Sequence, residues 1–124
     1  MVRPSNNGTD RPQQRVERNS RAVDVPEQFV ERIIEVLHPE EIWLFGSRAR
    51  GTHHPGSDWD LMAVLPDDAP DSHLDIVQVW RRLKDLRLQR VEIFPVRRRD
   101  FEEGRHLLGT LSQIVTTEGR AIYG

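Results

Sequence analysis

Residues 45–65, FGSRARGTHHPGSDWDLMAVL, gather the groups best suited to chemistry. Gly46-Ser47 closes an apolar run, and after ten further residues Asp58-Trp59-Asp60 opens a second one. Side chains alternate along a strand, so Asp58 and Asp60 share a face if that run is extended. Two carboxylates at this spacing repel unless a cation sits between them. Alone, Asp-x-Asp is ordinarily a capped, solvated strand start; its neighbours argue for more. Gly46 permits close approach of a ligand to the backbone. The N–H groups of a helix start favour anion oxygens, and the Ser47 hydroxyl adds a donor. Magnesium takes few carboxylates, several waters and substrate phosphates. The pattern therefore suits a magnesium–nucleoside triphosphate. Glu92, inside the apolar run RVEIFPV, is a third acid. It either pairs with Arg90 or Arg97 on an exposed edge, because an unpaired buried acid is costly, or faces Asp58 and Asp60. In the second case three carboxylates hold two ions, one at an attacking hydroxyl and one at the triphosphate.

These residues need a sheet to position them. A helix is expected from Pro26, with Phe29, Val30, Ile33, Ile34 and Leu37 on one face and Pro39 ending it. Residues 41–45 read as a strand, 47–50 as a brief helix and 58–65 as a second strand. The connector 66–72 ends in a helix cap at Asp71 or Ser72. Residues 73–88 form an amphipathic helix with Ile76, Val79, Trp80, Leu83 and Leu86 inward. Residues 90–96 form a third strand that Pro95 puts at an edge or brings to its end, and Glu92 faces the two aspartates if this strand lies beside the second. A last helix over 105–118 carries the stripe Leu107, Leu108, Leu111, Ile114 and Val115, stops at Gly119, and precedes a short closing strand. The loop between the first two strands is short for a parallel crossover, so they should be antiparallel. The fold class is α+β, a two-layer mixed or antiparallel sheet with helices on one face. The acid-bearing face continues into Met62, Val64, Phe94 and Val96, and this apolar surface, left bare, calls for a partner chain.

The chain has 124 residues and a net charge of −2, which gives one modest domain and no global field favouring nucleic acid or membrane. No apolar run approaches a membrane span, and the N-terminus has no signal-peptide core. Cysteine is absent, which excludes a thiolate metal site and fits a cytoplasmic setting. Residues 1–23 read as a disordered polar tail and 24–124 as the folded domain. All basic residues but Lys84 are arginine, which codon bias explains first and a phosphate-handling surface second. His53 and His54, adjacent in a loop, are expected in solvent rather than on a metal. Arg97–Arg99 reads as a solvated run, and Trp43, Trp59 and Trp80 as core or partner-facing.

GSRARG followed by Ser57-Asp58-Trp59-Asp60-Leu61 resembles the polymerase-beta-type nucleotidyltransferase superfamily, in its minimal (MNT) members. The resemblance covers roughly residues 26–124, and the ending EGRAIYG adds a weaker likeness. It implies the nucleotidyltransferase fold and transfer of a nucleoside monophosphate from magnesium–NTP to a hydroxyl, with loss of pyrophosphate. By position, Asp58 and Asp60 match the metal-binding acids and Gly46 and Ser47 the triphosphate loop. Glu92 stands where the third acid is usually Asp, a departure that leaves turnover open. Arg48 and Arg50 complete the nucleotide-binding motif; Arg48 steers phosphates or, equally, pins the short helix. Members of this group pair with small helical HEPN toxins, which they neutralise by binding or by transferring AMP to a tyrosine. The expected function is thus an MNT antitoxin that modifies a HEPN partner, or alternatively a subunit acting on an aminoglycoside-like alcohol, or a catalytically weak binding module. ATP or another NTP, two magnesium ions and a HEPN-type partner or a homo-oligomer are implied. A template-directed polymerase is not expected, because no second domain is read in the sequence, and neither is direct nucleic-acid binding.

Overall fold

The structure, a computed structural model, describes residues 25–124; the expected polar tail lies outside the described residues. The elements run α1 (Glu27–Leu37), β1 (Glu41–Phe45), α2 (Ser47–Arg50), β2 (Trp59–Leu65), a 3-10 turn (Asp71–His73), α3 (Ile76–Arg82), α4 (Lys84–Arg87), β3 (Val91–Arg97), α5 (Arg98–Gly104), α6 (Leu111–Glu118) and β4 (Arg120–Tyr123).

The strands form one mixed sheet in the order β3-β2-β1-β4. β1 is antiparallel to β2, as their short connection favours, and also antiparallel to β4, whereas β2 and β3 are parallel and joined through α3 and α4. Pro95 lies within β3, and the strand is an edge, so its missing N–H breaks no ladder.

Alternation along the strands sends Ile42, Leu44, Leu61, Ala63, Leu65, Val91 and Ile93 to one face. There they meet Phe29, Ile33 and Leu37 of α1, spaced four apart, and Val79, Leu83 and Leu86 of α3, its C-cap and α4. The long helix expected over 73–88 is broken. Asp75, rather than Asp71 or Ser72, caps it, with its carboxylate accepting from the N–H groups of Val77 and Gln78.

The opposite face corrects two expectations. It is not bare: Phe45, Met62 and Val64 are buried under Phe101 of α5 and Val115 of α6. The helix expected over 105–118 begins instead at Thr110, whose hydroxyl accepts from Gln113 N–H. Gly104 and residues 105–110 break the chain into two short helices that fold back over the sheet. Of the expected stripe only Val115 is buried; Leu107, Leu108, Leu111 and Ile114 are exposed. Arg98, expected in solvent, ties α5 to the start of β1 through Glu40 and Glu41 and also holds Glu102. Burial opposes its charge, but those carboxylates outweigh burial and raise its pKa. Arg97 is likewise engaged, with Asp71 and the Asp67 and Ala69 carbonyls. Trp59 packs edge-on to Phe29, Trp43 lies against Phe101, and Trp80 donates to Ile93 O, so all three tryptophans serve the packing.

Candidate active site

Strand register sets the centre of the site. Phe45 of β1, Asp60 of β2 and Glu92 of β3 stand side by side at one end of the face covered by α5 and α6. Asp60 is half-buried. Burial raises its pKa above the ordinary carboxylate value, the charges of Glu92 and Asp58 raise it further, and Arg50 opposes them. Its carboxylate lies against Gly46, where a β-carbon would overlap Asp60 Oδ2. Gly46 has φ +78° and ψ −160°, a conformation open essentially to glycine alone. Gly46 is therefore needed for both its backbone shape and its lack of a side chain.

These residues border an open cleft of about 550 Å³ lined by Phe45, Gly46, Ser47, Arg50, His54, Gly56, Ser57, Asp58, Asp60, Arg90 and Ile114. In so short a helix as α2 the N–H groups of Ser47 and Arg48 have no intrahelical acceptor. Arg50 reaches Glu118 of α6 at 3.3 Å, which ties the motif to the helix above it.

Of the expected residues, Gly46, Ser47, Arg50, Asp58 and Asp60 meet in this cleft. Glu92 flanks it, near enough for its charge to act on Asp60. Arg48 has a different task. Its guanidinium lies 3.9 Å from the Trp59 ring centroid and donates to the Ser57 and Pro55 carbonyls. It clamps the 51–58 loop and does not line the cleft. The positive charge facing the acids comes from Arg50 and from Arg90, whose Nε lies 3.1 Å from Asp58 Oδ1. Sequence reasoning considered Arg90 only as a partner for Glu92; nothing in a linear pattern reveals a pairing across two strand ends. His54, expected in solvent, is exposed yet borders the cleft. Its Nδ1 accepts from Gly56 N–H and its own N–H donates to Ser57 Oγ, which shapes the loop that presents Asp58.

The donor set is made of hard oxygens, which fits magnesium, and the mutual repulsion around Asp60 is what a cation relieves. Among the described residues no group of three or more acids or histidines is close enough to hold a metal as it stands. Asp58 is turned to Arg90.

Along the same face the next residues are Met62 and Phe94, and a second cleft of about 360 Å³ opens there with Pro95, Val96, Thr110 and Leu111 on its walls. Among the described residues no helix is long and apolar enough to cross a membrane.

A nucleotidyltransferase domain model matches residues 26–114, and the chain belongs to that family. Among solved structures, it resembles a toxin–antitoxin crystallised with AMP-PNP, at 26% identity and a TM-score of 0.55, over 81% of this chain and 74% of that one. It also aligns with a Sulfolobus solfataricus protein described as a candidate nucleotidyltransferase, at 20% identity and a TM-score of 0.48, over 68% of this chain and 75% of the other. No curated protein gives a significant match.

Proposed function

We propose that this chain transfers AMP from magnesium–ATP to a hydroxyl on a partner protein, as the antitoxin of a pair whose toxin is a small helical protein of the HEPN type. The observation that carries the reading is the placement of Asp60 between Gly46 and Glu92, in a cleft that also holds Ser47, Arg50 and Asp58. The likeness to a toxin–antitoxin crystallised with AMP-PNP supports an adenine nucleotide and a toxin as partner.

Ser47 and the neighbouring amides bind the triphosphate, with Arg50 adding positive charge. Asp58, Asp60 and Glu92 would hold two magnesium ions, whose chemistry is to neutralise charge at the α-phosphate and to acidify the acceptor hydroxyl. The acceptor oxygen forms a bond to the α-phosphorus. The α–β bridging bond breaks, pyrophosphate leaves, and Glu92 accepts the hydroxyl proton. The apolar cleft at Met62, Phe94 and Leu111 gives the acceptor's flanking side chain a place beside the acids. Exposed Ile114, on the wall of the first cleft, and Leu111, on the wall of the second, offer the partner an apolar surface, to which exposed Leu107 and Leu108 add.

A second reading, a binding module without turnover, draws on the Asp58–Arg90 pair, which leaves fewer acids free for metal. Incubation of the chain with a HEPN-type helical protein and radiolabelled ATP separates the two. Label on the partner that disappears with the Asp58→Ala/Asp60→Ala double variant supports transfer. Label that persists in that variant rejects the assignment of the acids.

A further inference from the structure

We infer that Arg90 is a movable phosphate-binding residue: it neutralises Asp58 while the cleft is empty of metal and passes to the nucleotide's phosphates when a divalent ion takes Asp58. The inference rests on the nucleotide-transfer reading above. Arg90 immediately precedes β3 and is one of two non-glycine residues with positive φ among those described, at +66°. Its backbone is fixed on both sides. Arg90 N–H donates to Arg87 O at 3.0 Å, and Arg90 O accepts from Trp59 N–H at 2.8 Å. The left-handed backbone thus stays in place and aims the side chain across the start of β2 into the cleft that Ser47 and Arg50 share.

The side chain itself is loosely held. Among the described residues its one ion pair runs from Nε to Asp58 Oδ1 at 3.1 Å, with the two side chains 64% and 39% exposed. A single-contact pair at that exposure is easily exchanged for another anion. A guanidinium suits the exchange, because its planar fork matches phosphate oxygens as well as carboxylate. Metal and Arg90 compete for the same carboxylate, so the arginine is released at the moment a triphosphate arrives with its ion.

Arg90→Gln removes the charge with little change of size, and Arg90→Lys restores it; thermal unfolding checks that both fold. Manganese binding to the nucleotide-free protein is followed by electron paramagnetic resonance, and magnesium–AMP-PNP binding by calorimetry. In Arg90→Gln, manganese alone should bind several-fold tighter and magnesium–AMP-PNP about tenfold weaker, with Arg90→Lys shifted back toward the wild type in both. If the glutamine variant leaves either affinity unchanged, or moves both in the same direction, the inference is overturned. Failure of the underlying reading looks different: the wild-type protein itself then binds no magnesium–AMP-PNP.

Discussion

Replacing Gly46 by alanine tests the geometry of the site in two separable ways. The backbone at φ +78° and ψ −160° lies where only glycine is comfortable, and a side chain there costs about 1–3 kcal/mol. The new β-carbon also overlaps Asp60 Oδ2 and lies 3.3 Å from Asp60 Cγ. Asp60 must then move, which adds a coupling of about 0.5–3 kcal/mol between the two positions. A combined loss of about 2 kcal/mol or more lowers Tm by roughly 8 °C or more in a domain of this size. In an Asp60→Ala background the overlap with the carboxylate is gone and only the backbone cost remains, so the same substitution should lower Tm by less. Differential scanning calorimetry of the four proteins in this cycle reads both terms. Equal drops in the two backgrounds would refute the Gly46–Asp60 contact, and no drop in either would refute the glycine-only backbone. Magnesium–AMP-PNP binding should fall with Gly46→Ala in proportion to the displacement of Asp60.

Asp60, with its pKa raised by burial and by its acidic neighbours, binds its proton more tightly in the folded protein than in the unfolded chain. Its contribution to stability therefore declines as pH rises from the ordinary carboxylate value of 3.8 through the raised one. Asp60→Asn should remove that part of the slope and raise Tm at neutral pH while abolishing magnesium–AMP-PNP binding; a lower Tm for Asp60→Asn contradicts the repulsion invoked here. Phe101, fully buried between α5 and the sheet, should cost about 3–5 kcal/mol when cut to alanine, measured by urea unfolding; a loss below about 1 kcal/mol means that α5 does not seal this face. Arg48→Ala releases the Pro55 and Ser57 carbonyls. Amide exchange at Gly56 and Ser57 should quicken by roughly tenfold, the equivalent of about 1.4 kcal/mol, and unchanged exchange rules out the clamp.

Most of the sheet is legible in the sequence because its strands are short apolar runs between turn residues, and Pro95 marks the edge. The Gly-Ser and Asp-x-Asp elements are legible because each residue type answers a local demand. The helical half is less so. Residues 105–110 take the start of the segment read as a helix over 105–118, and Phe101, two residues past an arginine run, gives no periodic warning that it will cover Met62 and Val64. Leucine spacing alone misplaces the stripe, since a 3.6-residue period is equally satisfied by leucines left on a surface. Arg48 and Arg90 show the same limit within the site. Their roles depend on which carbonyl or carboxylate the folded chain brings near, and in the sequence those partners lie 9 and 32 positions away.

The most direct measurement is anomalous diffraction from crystals grown with manganese and AMP-PNP. Manganese peaks between Asp60 and Glu92 and beside Asp58, with the β- and γ-phosphates against Gly46 and Ser47, are the expected result. Nucleotide density elsewhere on the chain, or manganese absent from these carboxylates while the nucleotide is bound, contradicts it.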